Sequence, residues 1–328
     1  MDRVLEYRVK ASDLEKTIGG ILGKVLKQCM GLTPHEISHA KFTPGGITVL
    51  RLGNPEGQYE TATVKDRVSA GDTVRIRFSD AEEDTESRVA PAEGDIQILY
   101  EDEDVVVLDK PAGIVSHPSH GHYRDSLANY LAGYYESKGI TVKLRTVGRL
   151  DKDTSGAILY AKNAPAASRL FRQKDSGQFK KTYLAVVTDP MQELEREGWH
   201  IIDSPMGPVP GTLMKQQIIA PPEGKNALTR YKFCGQCGDK ALIMAEIETG
   251  RTHQIRVHMA SIGHPLVGDR LYGKDRENTD RADRALLHAW KTGFKQPFSG
   301  EEISIMAPFP EDMKEYFETS SSPVLPKG

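Results

Sequence analysis

A chain of 328 residues, with 38% hydrophobic and 27% charged side chains, is long enough for one large domain, or for a medium domain with a small companion. A formal net charge of −3 excludes a uniformly basic surface, so a nucleic-acid site would have to be a local patch. The sequence has no apolar stretch long enough to cross a bilayer and no visible secretory signal, which predicts a protein without membrane association. Its three cysteines are too few for a disulfide framework and are typical of a cytoplasmic protein.

The first 79 residues predict a small α/β module. A helical stretch runs from Leu14 to Met30, a short helix follows Thr33-Pro34, and strand patterns cover 45–50 and 68–76. This element order resembles a small RNA-binding module first seen in a ribosomal small-subunit protein. Residues 33–39 contain no arginine or lysine, and counterion release needs cations. A module that only packs or positions therefore stays an alternative.

Residues 80–95 are acidic and poor in large apolar side chains, which predicts a solvated linker. A second domain is expected at 96–318, followed by a mobile tail at 319–328. Within this domain, strand patterns cover 105–108, 157–161, 183–187 and 241–247, helical patterns cover 126–135 and 164–173, and a Pro-Gly turn covers 109–113. Strands that outnumber helices, with irregular connections, favour an α+β domain over a regular βαβ series.

A charged turn at 147–156 lies between apolar residues and leads directly into a strand. It carries Asp151 and Asp153. A carboxylate held on such a scaffold can act as a covalent nucleophile, a general acid or base, or a metal ligand. Alternatively, either aspartate only caps the turn or pairs with Arg149. Residue chemistry alone leaves these alternatives open.

A second polar segment, 248–258, contains two arginines, two histidines, a glutamine and two threonines. Such a density of hydrogen-bond donors suits phosphate or base recognition. Ile255 and Val257 alternate with Arg256 and His258, which predicts a strand.

Two patterns suggest metal binding but lack further ligands. His253 and His258 are five residues apart with no glutamate between them, so they do not match the helical metalloprotease pair. Cys234 and Cys237 have the spacing of half a zinc site or of a redox pair, but no second cysteine pair is present. A glycine-rich hairpin turn is the favoured interpretation of the cysteine segment.

Several segments together resemble the RluA-type family of RNA pseudouridine synthases. Residues 148–156 resemble the nucleophile loop of that family, 181–185 its tyrosine motif and 249–258 its third motif. The segments that flank these motifs occur in the same order as in the family; they are 109–113, 263–269, 287–289 and 307–310. The resemblance therefore covers 96–315. One departure is Gly148, where the family commonly has histidine.

The resemblance implies the pseudouridine synthase fold, an α+β domain with a central mixed, largely antiparallel sheet crossed by the active-site cleft. It also implies that a uridine is flipped out of its RNA stack into this cleft. Asp151 would then attack the ribose carbon that bears the base, or take a proton from the ribose. Tyr183 would stack on the uracil and take part in the final proton removal, and Arg256 would pair with Asp151 and keep it ionised.

The same resemblance implies substrate contacts. Arg149 is expected to reach into the RNA where the uridine has left, and Arg251 and His253 to contact phosphates or bases. Lys110 is a further candidate, with a turn lysine that makes no substrate contact as its alternative. No metal or other cofactor is implied. The expected partner is ribosomal or transfer RNA, with ribosomal RNA favoured by the N-terminal module, and the protein is expected to be a monomer without an obligatory protein partner.

Two other functions remain as alternatives. A noncatalytic RNA-binding protein could keep the fold, although it would not need Asp151, Tyr183 and Arg256 together. A metal-dependent phosphodiesterase could use Asp151 and Asp153, but it would need further carboxylate or histidine ligands at recognisable spacing.

Overall fold

The protein is described by a computed structural model that covers residues 3–54, 56–79, 88–188, 197–212, 214–273 and 282–315. It divides into two compact units. The smaller comprises the described residues up to Arg88 with Ile140–Lys143 and Asn163–Pro165, and the larger begins at Val89. The division falls inside the segment predicted as an acidic linker, of which residues 80–87 lie outside the described ranges. None of the helices in these ranges is long and apolar enough to cross a membrane.

The smaller unit contains four antiparallel strands and three helices. The sheet order is β1-β4-β2-β3, and the unit has its own core, to which Leu22, Leu26, Val74 and Ile76 contribute. In chain order the elements are β1 (Arg3–Arg8), α1 (Ala11–Lys16), α2 (Leu22–Gln28), α3 (Pro34–Phe42), β2 (Ile47–Leu50), β3 (Glu60–Thr61) and β4 (Thr73–Phe78).

The predicted helical stretch from Leu14 to Met30 is instead two helices, α1 and α2. They are separated by a turn in which Ile18, Gly19 and Gly20 have positive φ angles of 56°, 71° and 76°. A Cβ on Gly20 would lie 2.2 Å from the carbonyl oxygen of Val68. Glycine is therefore required at this position both by its backbone conformation and by the neighbouring chain.

The larger unit contains twelve of the strands and four of the helices seen in the described ranges. In chain order they are β5 (Gln97–Glu101), β6 (Val105–Lys110), α4 (Leu127–Ser137), β7 (Arg145–Val147), β8 (Ser155–Ala161), α5 (Ala164–Asp175), β9 (Lys180–Thr188), β10 (His200–Asp203), β11 (Met206–Pro208), β12 (Gln216–Ile218), β13 (Leu228–Cys237), β14 (Lys240–Ile247), α6 (Gln254–Ser261), β15 (Leu287–Lys295), β16 (Glu302–Met306) and α7 (Glu311–Lys314).

Ten of these strands form one sheet, and β11 and β12 form a separate hairpin. The order in the large sheet is β10-β13-β14-β9-β15-β8-β6-β5, with β16 paired to β15 and β7 paired to β8. The β8–β15 pair is parallel, and the other pairs described in this sheet are antiparallel. The predicted α+β architecture with a mixed, largely antiparallel sheet is confirmed.

The centre of the large sheet is built from apolar, often β-branched runs. Strand β8 is buried along its whole length, and in β6 the run Val105, Val106 and Val107 is buried as well, as expected for strands covered on both faces. Strand β6 continues through Lys110, so Asp109 and Lys110 belong to the strand and not to the predicted turn. Strands β13 and β14 form a hairpin, but Cys234 lies within β13 and the turn follows at Gly238 and Asp239, so the cysteine segment itself is not the predicted turn.

Candidate active site

The loop between β7 and β8 carries Asp151 and is fixed on its N-terminal side by Ser116. The Ser116 hydroxyl donates to the carbonyl oxygen of Leu150 at 2.7 Å and accepts from the Leu150 amide at 3.1 Å. Both residues are buried. One side chain therefore satisfies both backbone groups of the residue that precedes Asp151.

Lys110 fixes the same loop just after Asp151. Its ammonium group is buried and donates to three carbonyl oxygens, those of Lys152 at 2.9 Å, Pro111 at 2.8 Å and Ile114 at 2.6 Å. Burial lowers the pKa of Lys110 to about 7, against the opposing effect of the Asp153 charge. The three donors of Lys110 are bound to backbone, which favours the alternative in which this lysine makes no substrate contact.

The C-terminal end of the loop is fixed from strand β15 and the residues before it. Arg284 donates to the carbonyl oxygen of Asp153 at 3.0 Å and to the Ser155 hydroxyl at 3.2 Å. The Ser155 hydroxyl also lies 2.9 Å from Nδ1 of His288. Residues on both sides of Asp151 are thus held by partners from distant parts of the chain.

The carboxylate of Asp151 itself has no hydrogen-bond partner among the described residues. It lines a cavity of about 300 Å³ together with Tyr183, His253, Arg149 and Arg251. The cavity size falls at the lower end of the range for small-ligand sites. The backbone around Asp151 is rigidly held while its carboxylate is left available to a molecule in the cavity.

Tyr183 lies on β9 and forms part of the wall of this cavity, with 5% of its surface exposed. Burial raises the pKa of its phenol, and the negative charge of Asp151 raises it further. Tyr183 is therefore neutral at physiological pH, with an apolar ring and a protonated hydroxyl beside the aspartate.

Arg256 makes a different ion pair from the expected one. Its Nε and Nη2 atoms donate to the two carboxylate oxygens of Asp269, each at 2.7 Å, and both side chains are buried. The expected pairing with Asp151 is wrong. Burial opposes the charge of Arg256, but the hydrogen bonds and charge of Asp269, with a contribution from the Asp151 charge, raise its pKa. Arg256 thus affects Asp151 through its electric field, without a direct contact.

The segment predicted as a strand around Arg256 is the helix α6, which begins after His253 at a positive φ of 57°. The Gln254 side chain accepts from the Thr249 hydroxyl at 2.7 Å and from the Arg251 amide at 3.1 Å. Its amide group donates to the carbonyl oxygen of Leu228 at 2.9 Å. Gln254 therefore fixes the loop that enters the cavity from the third motif.

The two histidines of this segment have different surroundings. His253 lines the cavity, and its Nδ1 lies 2.9 Å from the hydroxyl of Tyr272. His258 is buried between the Thr229 hydroxyl at 2.9 Å and the carbonyl oxygen of Ser204 at 3.0 Å. Burial lowers the pKa of both imidazoles, so both are neutral at physiological pH. His258 is a structural residue, whereas His253 faces the site.

Two arginines lie at the opening of the site. Arg149 is exposed and lines both the Asp151 cavity and a neighbouring cavity of about 510 Å³. Arg251 is also exposed, and its Nε donates to the carbonyl oxygen of Asn226 at 3.0 Å. The remaining donors of both guanidinium groups can be reached from solution, as binding of a large polyanion requires.

Comparison with known proteins identifies the family to which the chain belongs. Residues 104–261 match the family model described as RNA pseudouridylate synthase. The Bacillus subtilis protein named Uncharacterized RNA pseudouridine synthase YhcT is 39% identical over 254 residues, which cover 77% of this chain and 80% of that protein. The Ribosomal large subunit pseudouridine synthase D of Nitrosomonas europaea is 36% identical over 258 residues, which cover 77% of this chain and 72% of that protein. The chain belongs to the RluA-type family of RNA pseudouridine synthases.

A solved structure of this enzyme class has a similar fold. The human RNA Pseudouridylate Synthase Domain Containing 1 matches with a TM-score of 0.54 and 27% identity, over 66% of this chain and 84% of that chain. The recognition from sequence and the predicted fold are both confirmed. The pseudouridine synthase fold here places Asp151, Tyr183 and His253 around one cavity.

Several residues that support the site were not found by sequence reasoning. Ser116, Arg284 and Tyr272 have no local pattern that marks them, because each acts through a contact with a distant segment. The sequence did point to Asp269, because it follows Gly268 in one of the segments that resemble the family. Its role as the counter-ion of Arg256 is visible only in the fold.

Proposed function

We propose that this pseudouridine synthase isomerises specific uridines of structured RNA, with ribosomal RNA as the favoured substrate, and that Asp151 is its nucleophile. One observation carries the assignment of Asp151: its carboxylate faces the cavity without a hydrogen-bond partner among the described residues, while Leu150, Lys152 and Asp153 are held by their backbone. A nucleophile needs this combination of a free lone pair and a fixed position.

The reaction balances within one nucleotide. With the uridine flipped into the cavity, the Asp151 carboxylate forms a bond to C1′ of the ribose while the bond from C1′ to N1 of uracil breaks. The freed uracil rotates, its C5 forms the new bond to C1′, and the bond from Asp151 to C1′ breaks. The proton on C5 is then lost and N1 gains one. If Asp151 instead takes a ribose proton first, the same cavity and the same product are involved.

The neighbours of Asp151 suit these steps. The Tyr183 ring gives the uracil an apolar surface for stacking, and its neutral hydroxyl lies on the same side as the aspartate. Asp269 holds Arg256 in place, so the positive charge of Arg256 acts on Asp151 from a distance. His253 offers a polar edge to the base, and Arg149 and Arg251 offer cationic contacts to phosphates at the opening.

The choice of ribosomal RNA rests on the relatives, among which proteins named Ribosomal large subunit pseudouridine synthase D recur. Transfer RNA is the second candidate. Pseudouridine mapping of total RNA from cells with and without the gene tests this choice directly. We expect sites in ribosomal RNA to disappear with the gene, and loss of sites in transfer RNA alone would contradict the proposal.

The role of Asp151 is tested with Asp151→Asn, and Asp153→Asn serves as a matched control from the same loop. The asparagine at 151 keeps the shape but cannot act as a nucleophile, so we expect normal folding and RNA binding without product. Asp153→Asn should retain turnover, because the protein contacts Asp153 through its backbone carbonyl. Turnover by a clean Asp151→Asn preparation, or equal loss in both variants, would contradict the assignment.

A further inference from the structure

Another buried lysine of the larger unit has no hydrogen-bond partner among the described residues. Lys181 lies on β9 two residues before Tyr183, so both side chains lie on the same face of the strand. Only 8% of Lys181 is exposed, and its ammonium nitrogen has no hydrogen-bond partner among the described residues. In this it differs from Lys110, whose three donors are all bound to carbonyl oxygens.

A buried ammonium without a counter-ion is unfavourable. Removing a charge from water is costly, and the cost is offset by a close partner of opposite charge or by hydrogen-bond acceptors. Burial, and secondarily the charge of Lys174, lowers the pKa of Lys181 to about 7. At neutral pH, Lys181 is therefore charged in only part of the free protein molecules. A group of this kind in a native structure calls for an explanation outside the folded chain itself.

The surroundings of Lys181 form a second cavity beside the uridine site. Its volume is about 510 Å³, and it shares Gly148, Arg149 and Tyr183 with the cavity that contains Asp151. Five cationic side chains and three carboxylates line it; the cations are Arg149, Lys174, Lys180, Lys181 and Arg230. The second cavity therefore adjoins the cavity of Asp151, and more cationic than anionic side chains line it.

Gly148 borders the buried ammonium group on the side of the Asp151 loop. A Cβ at this position would lie 3.7 Å from the Lys181 nitrogen, and larger side chains would extend further over it. Gly148 has a positive φ of 78°, so the loop uses a conformation that glycine adopts without strain. The departure from the histidine common in the family thus coincides with the unpartnered lysine.

We propose that Lys181 binds a backbone phosphate of the RNA next to the flipped uridine, in the 510 Å³ cavity. This inference rests on the proposed function. Phosphate is the anionic group that RNA offers at neutral pH, and an anion compensates the charge of a buried ammonium more strongly than a neutral acceptor does. Once bound, the phosphate holds the nucleotide neighbouring the target uridine while Tyr183 and Asp151 contact the target itself.

The first experiment compares Lys181→Met with Lys240→Met in the full-length enzyme. Lys240 is a matched control, because it lies in the same sheet with 9% exposure but outside both cavities, and it pairs with Asp239 at 2.9 Å. The substrate is unmodified ribosomal RNA from cells lacking the gene. Lys181→Met should raise KM about tenfold, leave kcat within about twofold, and reduce the salt slope of binding by about one phosphate.

Thermal unfolding separates a binding role from a structural one. If the ammonium is unpartnered in the free enzyme, Lys181→Met should raise Tm while it weakens RNA binding, because methionine fills the space without a buried charge. A lower Tm would show that the charge has a partner inside the protein, and would overturn the proposal. Unchanged KM and salt slope, or losses equal to those of Lys240→Met, would also overturn it.

The second experiment locates the phosphate. Single methylphosphonates, which remove the charge of one phosphate, are placed in turn along a short stem-loop that contains the mapped uridine. One position adjacent to the uridine should weaken binding by the wild type but not by Lys181→Met. Losses that remain equal in both proteins at every position would overturn the inference. A wild type that binds no RNA would instead refute the proposed function.

Discussion

Replacing Asp269 by asparagine removes the counter-ion of Arg256 without changing the shape of the side chain. The aspartate is buried and accepts two hydrogen bonds from Arg256 at 2.7 Å, and Oδ1 also accepts from the amides of Leu271 and Tyr272. In the variant, an amide NH₂ must face a guanidinium N–H, and the charge of Arg256 stays buried without compensation. Breaking a buried pair in this way costs about 3–5 kcal/mol of unfolding free energy.

Asp312→Asn supplies the matched comparison. Asp312 also pairs with an arginine through two hydrogen bonds, at 2.6 and 2.9 Å, but its side chain is 47% exposed. Its partner Arg284 keeps other acceptors, including the carbonyl oxygens of Asp153 and Leu287. Water can replace the lost carboxylate contact, so we expect a cost of about 1 kcal/mol or less.

Tryptophan fluorescence during urea unfolding measures the loss of unfolding free energy in both variants. It reports on the larger structural unit, which contains Asp269 and Asp312. The chain has two tryptophans, Trp199 and Trp290, and both pack against one core cluster of the larger unit. Their signal therefore follows the catalytic unit and not the N-terminal one. Equal losses of unfolding free energy in Asp269→Asn and Asp312→Asn, at equal m-values, would refute the argument that burial makes the Arg256 pair critical.

Three further predictions concern chemistry and pH. Tyr183→Phe should keep KM but lower kcat at least tenfold, because the ring still stacks while the hydroxyl beside Asp151 is lost; single-turnover assays with unchanged rates would contradict this. Burial lowers the pKa of His288 to about 4, so protonation favours the unfolded chain, and stability should fall by on the order of 1–3 kcal/mol between pH 6.5 and 4. His288→Gln should flatten that dependence in urea titrations, and an unchanged slope would exclude His288 as its source. Turnover should stay within about twofold after exhaustive EDTA treatment, on an RNA whose fold needs no divalent ion, and a loss reversed by one specific metal would favour metal-dependent chemistry.

The sequence was most informative where local pattern and burial agree. The apolar run of Val105, Val106 and Val107 predicts a buried strand, and the structure places it in the centre of the sheet. A helix was predicted over 126–135, and the structure has α4 at Leu127–Ser137, with the Ser126 side chain accepting from the Asn129 amide at its start. Such features depend on neighbours within a few residues, so one sequence is enough to predict them.

The helix α6 shows where that reasoning fails. Residues Gln254 to Met259 are all buried, so polar and apolar side chains do not separate into an exposed and a covered face. An alternation of period two is then compatible with a helix, because Arg256 and His258 find polar partners inside the protein. Which carboxylate pairs with Arg256 depends on Asp269, thirteen positions further along the chain, and local pattern carries no information about that choice.

The supports of the Asp151 loop come from parts of the chain that are synthesised at different times. Its N-terminal supports, Ser116 and Lys110, lie 34 and 42 positions from their partners and precede the loop. Arg284 supports Asp153 from 131 positions further on, and His288 contacts Ser155 from 133 positions further on. Arg284 and His288 must therefore be synthesised before the C-terminal end of the loop can be fixed. A chain that ends before Arg284 and His288 lacks both of these supports of the loop.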